Sequence, residues 1–176
     1  MTIRTPSAAD ADRIRQIHLD AFEADERELV AELACGLLET HSDPQTLKLV
    51  VELEGELVGY VAFSPVWAAE DQSFVGYTLA PLAVSPDQQK KGIGSSLVKE
   101  GLRQLLAQGV EVVLVYGDPK YYGRFGFELK LGESYPAPFP LVYPFGWQAV
   151  HLSGKAAPER SISITCVDAL NKPELW

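Results

Sequence analysis

The chain has 176 residues, 47% of them hydrophobic and 22% charged, which is typical of one globular domain with its own core. Its formal net charge of −9 argues against general nucleic-acid binding, because that function depends on a basic surface. We expect a reduced, cytoplasmic protein without a membrane span, since no long apolar run or signal-peptide pattern is present and Cys35 and Cys166 form no CxxC pair.

The first third of the chain predicts a strand, two amphipathic helices and a hairpin. Residues 2–5 can form a short strand, and Ser7 with Asp10 three residues later has the spacing of a capping box. Two stretches then repeat apolar residues at helical spacing. Their stripes are Ile14, Ile17, His18, Ala21 and Phe22, followed by Leu29, Val30, Leu33, Ala34, Leu37 and Leu38. The runs 47–53 and 57–63 predict two strands joined by a glycine-containing turn.

A further strand is predicted over 74–84, with Pro81 inside it. Proline cannot donate a ladder hydrogen bond, so Pro81 predicts a sheet edge or a bulge. A polar loop then leads into a third helix, which Gly109 ends. The apolar stripe of that helix consists of Leu97, Val98, Leu102, Leu105 and Leu106. An apolar strand over 110–116 follows.

Residues 132–176 begin with a segment rich in proline and aromatic residues and contain two candidate closing strands, 148–152 and 161–166. The element order β-α-α-β-β-β-α-β-α-β predicts an α+β fold, with a mixed but largely antiparallel sheet. We expect residues 1–176 to form a single domain.

The segment from Leu82 to Ser95 combines a buried strand, a polar loop and the start of a helix. The first turn of a helix exposes unpaired N–H groups and partial positive charge, so it binds anions. Gly92 and Gly94 allow a phosphate to approach closely, and Lys90 and Lys91 add positive charge. A pyrophosphate is the favoured ligand, and a simple tight turn is the alternative. The lysines precede the glycines and no third glycine follows, so neither a P-loop nor a dinucleotide fingerprint fits.

The run Gln89-Lys90-Lys91-Gly92-Ile93-Gly94 matches the Q/R-x-x-G-x-G/A signature of the GNAT N-acetyltransferase superfamily, and residues 121–127 resemble its Y-x-x-x-G-F element. The chain resembles this superfamily over roughly residues 2–131, and its Gly-Asp-Pro-x-Tyr-Tyr-x-Arg-Phe-Gly-Phe form resembles the predicted-acetyltransferase subgroup. The resemblance implies a central twisted sheet with flanking helices, splayed strands at the CoA site, and acetyl-CoA as co-substrate without a metal. The residues implied to contact acetyl-CoA are Leu82, Ala83, Val84, Gln89, Lys90, Lys91, Gly92, Ile93, Gly94 and Ser95.

The resemblance also implies direct transfer of the acetyl group to a primary amine. Tyr122, four residues before Gly126, takes the position of the catalytic tyrosine that protonates the leaving thiolate, and Tyr121 is its nearest rival. The backbone N–H of Val84 or a neighbour would polarise the thioester carbonyl. Many members carry Asn where this chain has Asp118, which we interpret as a helix N-cap followed by proline.

The general base and the acceptor stay open. A histidine on an apolar stripe, such as His18, is more often packed than catalytic, and a water chain could replace any side-chain base. The acidic candidates, which could line the acceptor side but have no distinguishing spacing, are Glu23, Glu26, Glu28 and Glu70. Residues 1–60 contain thirteen acidic and five basic residues. This excess of negative charge indicates either a solvated face or a field that attracts a cationic acceptor.

Two other functions are compatible with the same motifs: a non-catalytic acetyl-CoA sensor and a transferase that uses another acyl-CoA. The acceptor is expected to be a small-molecule or peptide amine. Monomer and homodimer are both open, since homodimers through the C-terminal strands are common among similar proteins. The aromatic segment before residue 147 is expected either to line a substrate pocket or to pack as a lid over the core.

Overall fold

The computed structural model describes all residues, 1–176, and contains seven strands and five α-helices. The strands are β1 (Thr2–Arg4), β2 (Leu47–Leu53), β3 (Glu56–Ala68), β4 (Phe74–Val84), β5 (Val112–Tyr116), β6 (Trp147–His151) and β7 (Ile164–Cys166). The helices are α1 (Ala11–Ala21), α2 (Arg27–Glu39), α3 (Ile93–Ala107), α4 (Pro119–Tyr122) and α5 (Leu129–Gly132). No helix combines the length and hydrophobicity needed to cross a bilayer.

The strands form one mixed sheet in the order β1-β2-β3-β4-β5-β6, with β7 paired to β3. The β4–β5 pairing is parallel, because α3 connects the two strands as a crossover. The pairings of β1 with β2, β2 with β3, β3 with β7 and β5 with β6 are antiparallel. The predicted α+β class with a largely antiparallel sheet is therefore confirmed.

The chain divides into two compact units, and β3 and β4 each run from one into the other. The first unit comprises residues 1–63 and 81–101, and the second comprises residues 64–80 and 102–176. In the first unit, Ser7 N–H and Oγ both bond Asp10 Oδ2, at 2.6 and 2.9 Å. The predicted capping box thus precedes α1. The most deeply buried residues of the predicted α1 stripe are Ile14, Ile17 and His18.

In the second unit, Val112 to Val115 of β5 are fully buried between β4 and β6. The C-terminal aromatic residues complete this core rather than lying loosely on it. Trp176 is 6% exposed, lies 5.4 Å from the Trp147 ring centroid, and donates its indole N–H to the Leu170 carbonyl at 3.1 Å. Tyr135 and Trp147 of the Pro- and aromatic-rich segment are buried in the same cluster, so part of that segment packs as a lid on the core.

Two expectations need correction. The one for Pro81 is not among them: β4 lies between β3 and β5, but its parallel register with β5 ends at Leu79, so the proline lies outside that ladder, as a local edge or bulge requires. Leu106 of the predicted α3 stripe is 48% exposed. The strand predicted from residue 110 begins at Val112, because the N–H of Val110 still bonds the carbonyl of Leu105 in the turn that ends α3.

Candidate functional site

One candidate region is the connection between β4 and α3, which lies within the first unit. The Ser85 N–H donates to the Val58 carbonyl of β3 at 2.8 Å, and a single turn, Pro86–Gln88, follows. The Gln89 side-chain amide then reaches back to the Val84 carbonyl at 3.1 Å. These two bonds tie both ends of the loop to the sheet.

The backbone turns sharply just before α3. Lys90 and Gly92 both have positive φ angles, 61° and 85°, in the region that favours glycine. No atom lies within 4 Å of the position that a side-chain carbon would occupy on Gly92. The first turn of α3 therefore opens onto free space, with exposed Lys90 and Lys91 immediately before it. This is the geometry of a helix N-terminal anion site.

The other predicted contact residues differ in burial. Ala83 and Val84 are buried and Leu82 is half-buried, so these residues offer mainly backbone atoms to a ligand. Ile93 is 4% exposed, because its side chain packs against Gly59 of β3. The remaining two, Gly94 and Ser95, are half-buried at the start of α3.

The other candidate region is the turn after β5, which lies within the second unit. Asp118 Oδ1 accepts the Lys120 N–H at 2.9 Å, and Pro119 occupies the first helical position of α4. A turn of 3₁₀ helix, Gly123–Phe125, continues α4 and ends at Gly126 with φ of 87°. The predicted N-cap and the predicted glycine stop are both confirmed.

Tyr122 sits in an aromatic pocket at this turn. Its ring meets those of Tyr121 and Phe127 edge-on, at centroid distances of 5.0 and 5.8 Å. A side-chain carbon on Gly117 would overlap the Tyr122 ring, so only glycine fits there. Burial, with a smaller contribution from Tyr121, raises the pKa of Tyr122 above its ordinary value near 10. Tyr122 therefore keeps its proton throughout the neutral range.

Tyr121 lies in a different environment from Tyr122. Its ring packs against Phe125 at 5.6 Å, and the Arg124 guanidinium lies 4.5 Å from its centroid. A cation over the ring face is a stabilising contact. It gives the Tyr121 ring a packing role at this turn.

His18 is fully buried in the first unit, as its place on the apolar stripe of α1 predicts. Its Nδ1–H donates to the Ile14 carbonyl at 2.7 Å, while Nε2 has no hydrogen-bond partner. Burial lowers the pKa of His18 to about 4. The ring is therefore neutral at pH 7 and is shielded from solvent, which favours a packing role.

The acidic candidates for a base are on the surface. Glu28 pairs with Arg15 at 2.8 Å, whereas Glu23 and Glu26 are exposed between α1 and α2 and outside the ion pairs of this unit. Glu70 is exposed in the turn between β3 and β4. No group of three or more His, Cys, Asp or Glu residues is arranged to hold a metal ion.

The sequence profile of the "Acetyltransferase (GNAT) family" matches residues 11–127, a range that contains both the β4–α3 loop and Tyr122. The chain belongs to the GNAT acetyltransferase family. It is 36% identical over 142 residues to the uncharacterized N-acetyltransferase YjhQ of Escherichia coli K12, covering 80% of this chain and 77% of YjhQ. It is 43% identical over 133 residues to the uncharacterized N-acetyltransferase YhbS of the same strain, covering 73% of this chain and 74% of YhbS.

Solved GNAT structures have the same fold. A crystal structure of E. coli YhbS in complex with CoA has a TM-score of 0.82 at 32% identity, covering 97% of this chain and 92% of that chain. A GNAT family acetyltransferase from Brucella melitensis in complex with acetyl-CoA has a TM-score of 0.69 at 28% identity, covering 97% of both chains. The family and the fold together identify this GNAT chain as an acetyltransferase.

Proposed function

We propose that this enzyme transfers the acetyl group of acetyl-CoA to a primary amine by direct attack. The observation that carries the proposal is the open turn at Gly92, directly before α3 and flanked by two exposed lysines. The CoA and acetyl-CoA complexes of the two similar proteins support the same ligand here.

In this proposal the β4–α3 loop holds the pyrophosphate. The backbone N–H groups from Gly92 to Ser95 have no carbonyl partner in the preceding turn of the helix, so they can donate to phosphate oxygens. Lys90 and Lys91 provide counter-charge in a chain whose net charge is −9. The contacts that tie the loop to the sheet mean that little conformational entropy is lost on binding.

When bound, acetyl-CoA supplies a thioester carbonyl for the amine to attack. The N–H of Ser85 already bonds Val58, so Val84 is the better donor to polarise that carbonyl. Tyr122 Oη donates its proton to the departing sulfur. The raised pKa keeps Tyr122 protonated for this step.

The amine must lose a proton before it attacks. Buried, neutral His18 has no route to solvent, so we assign this step to water or to a surface carboxylate. Glu23, Asp25 and Glu26 are exposed and favour a cationic acceptor electrostatically.

The test combines CoA binding with turnover. We expect calorimetry to detect CoA binding at micromolar concentrations. We also expect a panel of amines, supplied with acetyl-CoA, to release free thiol in proportion to the N-acetyl product seen by mass spectrometry. Absence of CoA binding at high micromolar concentration would overturn the proposal. So would thiol release that is indifferent to the presence of an amine, because that is hydrolysis.

A further inference from the structure

The second unit carries an exposed apolar loop that the mechanism above does not use. Residues 134–150 contain no charged side chain. Within them, Val142, Tyr143 and Phe145 are 69%, 59% and 62% exposed. We call residues 142–145 the aromatic tip. Three neighbouring apolar side chains exposed to this degree form a surface that commonly marks a binding site.

The backbone of the aromatic tip is held firmly to the end of β5. The Tyr143 N–H donates to the Tyr116 hydroxyl at 2.7 Å, and the Gly117 N–H donates to the Gly146 carbonyl at 2.9 Å. Gln148, 1% exposed, donates its amide to the carbonyls of Gly117 and Gly146 at 3.1 and 3.2 Å. The aromatic tip is therefore a fixed surface, and binding to it costs little ordering entropy.

The anchoring residues connect the aromatic tip to the turn that holds Tyr122. Gly117 packs directly on the Tyr122 ring and bonds Gly146, the residue that follows the tip. Two residues, Gly117 and Gly146, thus connect the proposed proton donor to the tip. The Tyr143 and Phe145 rings lie 5.8 Å apart with an interplanar angle of 56°. Together they present apolar ring surfaces suited to an aromatic or aliphatic group.

We infer that the aromatic tip recognises the apolar body of the acceptor, and that the preferred acceptor is an amine carrying an aromatic or bulky aliphatic group. This inference rests on the proposed function, since it concerns the second substrate of the same reaction. A bilayer is a poorer occupant, because no Lys or Arg lies between Lys130 and Lys155 and the net charge of −9 opposes an anionic surface. A second copy of this chain is the other occupant that the experiment must separate.

The test compares two amines with the same ammonium head, 2-phenylethylamine and ethanolamine, in the wild type and in the double variant Tyr143→Ala/Phe145→Ala. We expect the variant to lower kcat/KM for 2-phenylethylamine by about 10- to 100-fold, mainly through KM, as the loss of contact with an apolar ring predicts. Ethanolamine turnover and CoA affinity should stay within about two-fold, a change worth less than about 0.5 kcal/mol. Phe74→Ala is the matched control, since Phe74 is also exposed, at 44%, but lies at the start of β4.

Failure of this inference is distinguishable from failure of the proposed function. Unchanged selectivity in an active double variant would overturn the inference alone. The inference is also overturned if the double substitution changes only the oligomeric mass, measured by light scattering, because the tip would then contact a second copy of the chain. If CoA binds but no amine is acetylated, the proposed function fails. In that case the inference is tested by NMR, which measures the binding of 2-phenylethylamine to the CoA complexes of the wild type and of the double variant. Equal affinity of the two proteins for this amine, or no binding to either, overturns the inference.

Discussion

Replacing Gly92 with alanine tests the loop without removing any side-chain contact. Gly92 and Gly55 form a matched pair, because both have φ of 85° and neither has an atom within 4 Å of a side-chain carbon position. Gly55 lies in the hairpin turn between β2 and β3, and Gly92 lies directly before α3. The same substitution therefore imposes the same backbone strain at a neutral site and at the proposed phosphate site.

The strain term is modest and shared by the two variants. An alanine in the left-handed region costs about 1–2 kcal/mol, and the reduced freedom of the unfolded chain offsets about 0.4–1 kcal/mol of that. A net loss of about 1 kcal/mol lowers Tm by about 2–4 °C in a chain of this length. Only Gly92→Ala places a methyl group at the proposed phosphate site. Losing one hydrogen bond to a charged group costs about 1.5–3 kcal/mol, which raises the Kd for CoA by about 10- to 100-fold.

Calorimetric titration with CoA measures the loss of affinity, and thermal unfolding separately measures the loss of stability. We expect both variants to show the same small loss of Tm, and only Gly92→Ala to lose affinity. Gly92→Glu adds bulk and like charge and should abolish binding. Equal CoA affinity in Gly92→Ala and Gly55→Ala would refute the placement of the pyrophosphate at this turn.

Three further predictions concern Tyr122, His18 and the acidic surface. Tyr122→Phe should lower turnover in the thiol-release assay by about 100- to 1000-fold, and Tyr121→Phe should have a mild effect. Because burial raises the pKa of Tyr122, wild-type kcat should show no alkaline loss that depends on Tyr122 below pH ~10; a loss at lower pH that Tyr122→Phe removes would contradict this. In the unfolded chain His18 binds a proton below its ordinary pKa of 6.5, whereas in the folded protein it does so only near pH 4. The free energy of unfolding therefore decreases as the pH is lowered through this window, by about 2 kcal/mol between pH 7 and pH 5. In urea unfolding, His18→Gln should flatten this dependence, and an unchanged slope would show that the histidine is accessible to protons in the folded state. If the acidic surface of residues 1–60 steers a cationic amine, KM should rise with ionic strength; a preferred acceptor with net negative charge would count against this.

Several features of the candidate site could be predicted because they depend on neighbouring residues alone. The Ser7–Asp10 capping box, the Asp118 N-cap and the glycine that ends the turn after α4 all appear where local chemistry predicts them. The positive φ of Gly92 before α3 is also a local feature, although the sequence pattern indicated only that a side chain would be absent there. Such features involve residues within a few positions of each other, so the interactions that stabilise them can be inferred from the local sequence.

Which strands become neighbours could not be predicted, because strand pairing depends on partners distant in the sequence. Pro81 was expected at an edge or a bulge, and the β5 register does stop before the proline, but only the structure shows that β4 lies between β3 and β5. Leu106 fits the helical spacing of the α3 stripe, but its side chain remains exposed. Apolar periodicity identifies a face of a helix, whereas the extent of the surface packed against that face decides how much of it is buried.

The sequence by itself determined the family, the α+β class and the two motifs that carry the proposed chemistry, since each consists of contiguous residues with a characteristic spacing. Only the tertiary structure decided which aromatic residues of the C-terminal segment enter the core and which remain exposed. Trp147 and Trp176 pack together, while Tyr143 and Phe145 are held outside by hydrogen bonds to the end of β5. These residues have similar hydrophobicity, so composition cannot separate them. Their burial is set by contacts with chain segments that are distant in the sequence, such as Val66 of β3 for Trp147, and that come together only when the sheet is assembled.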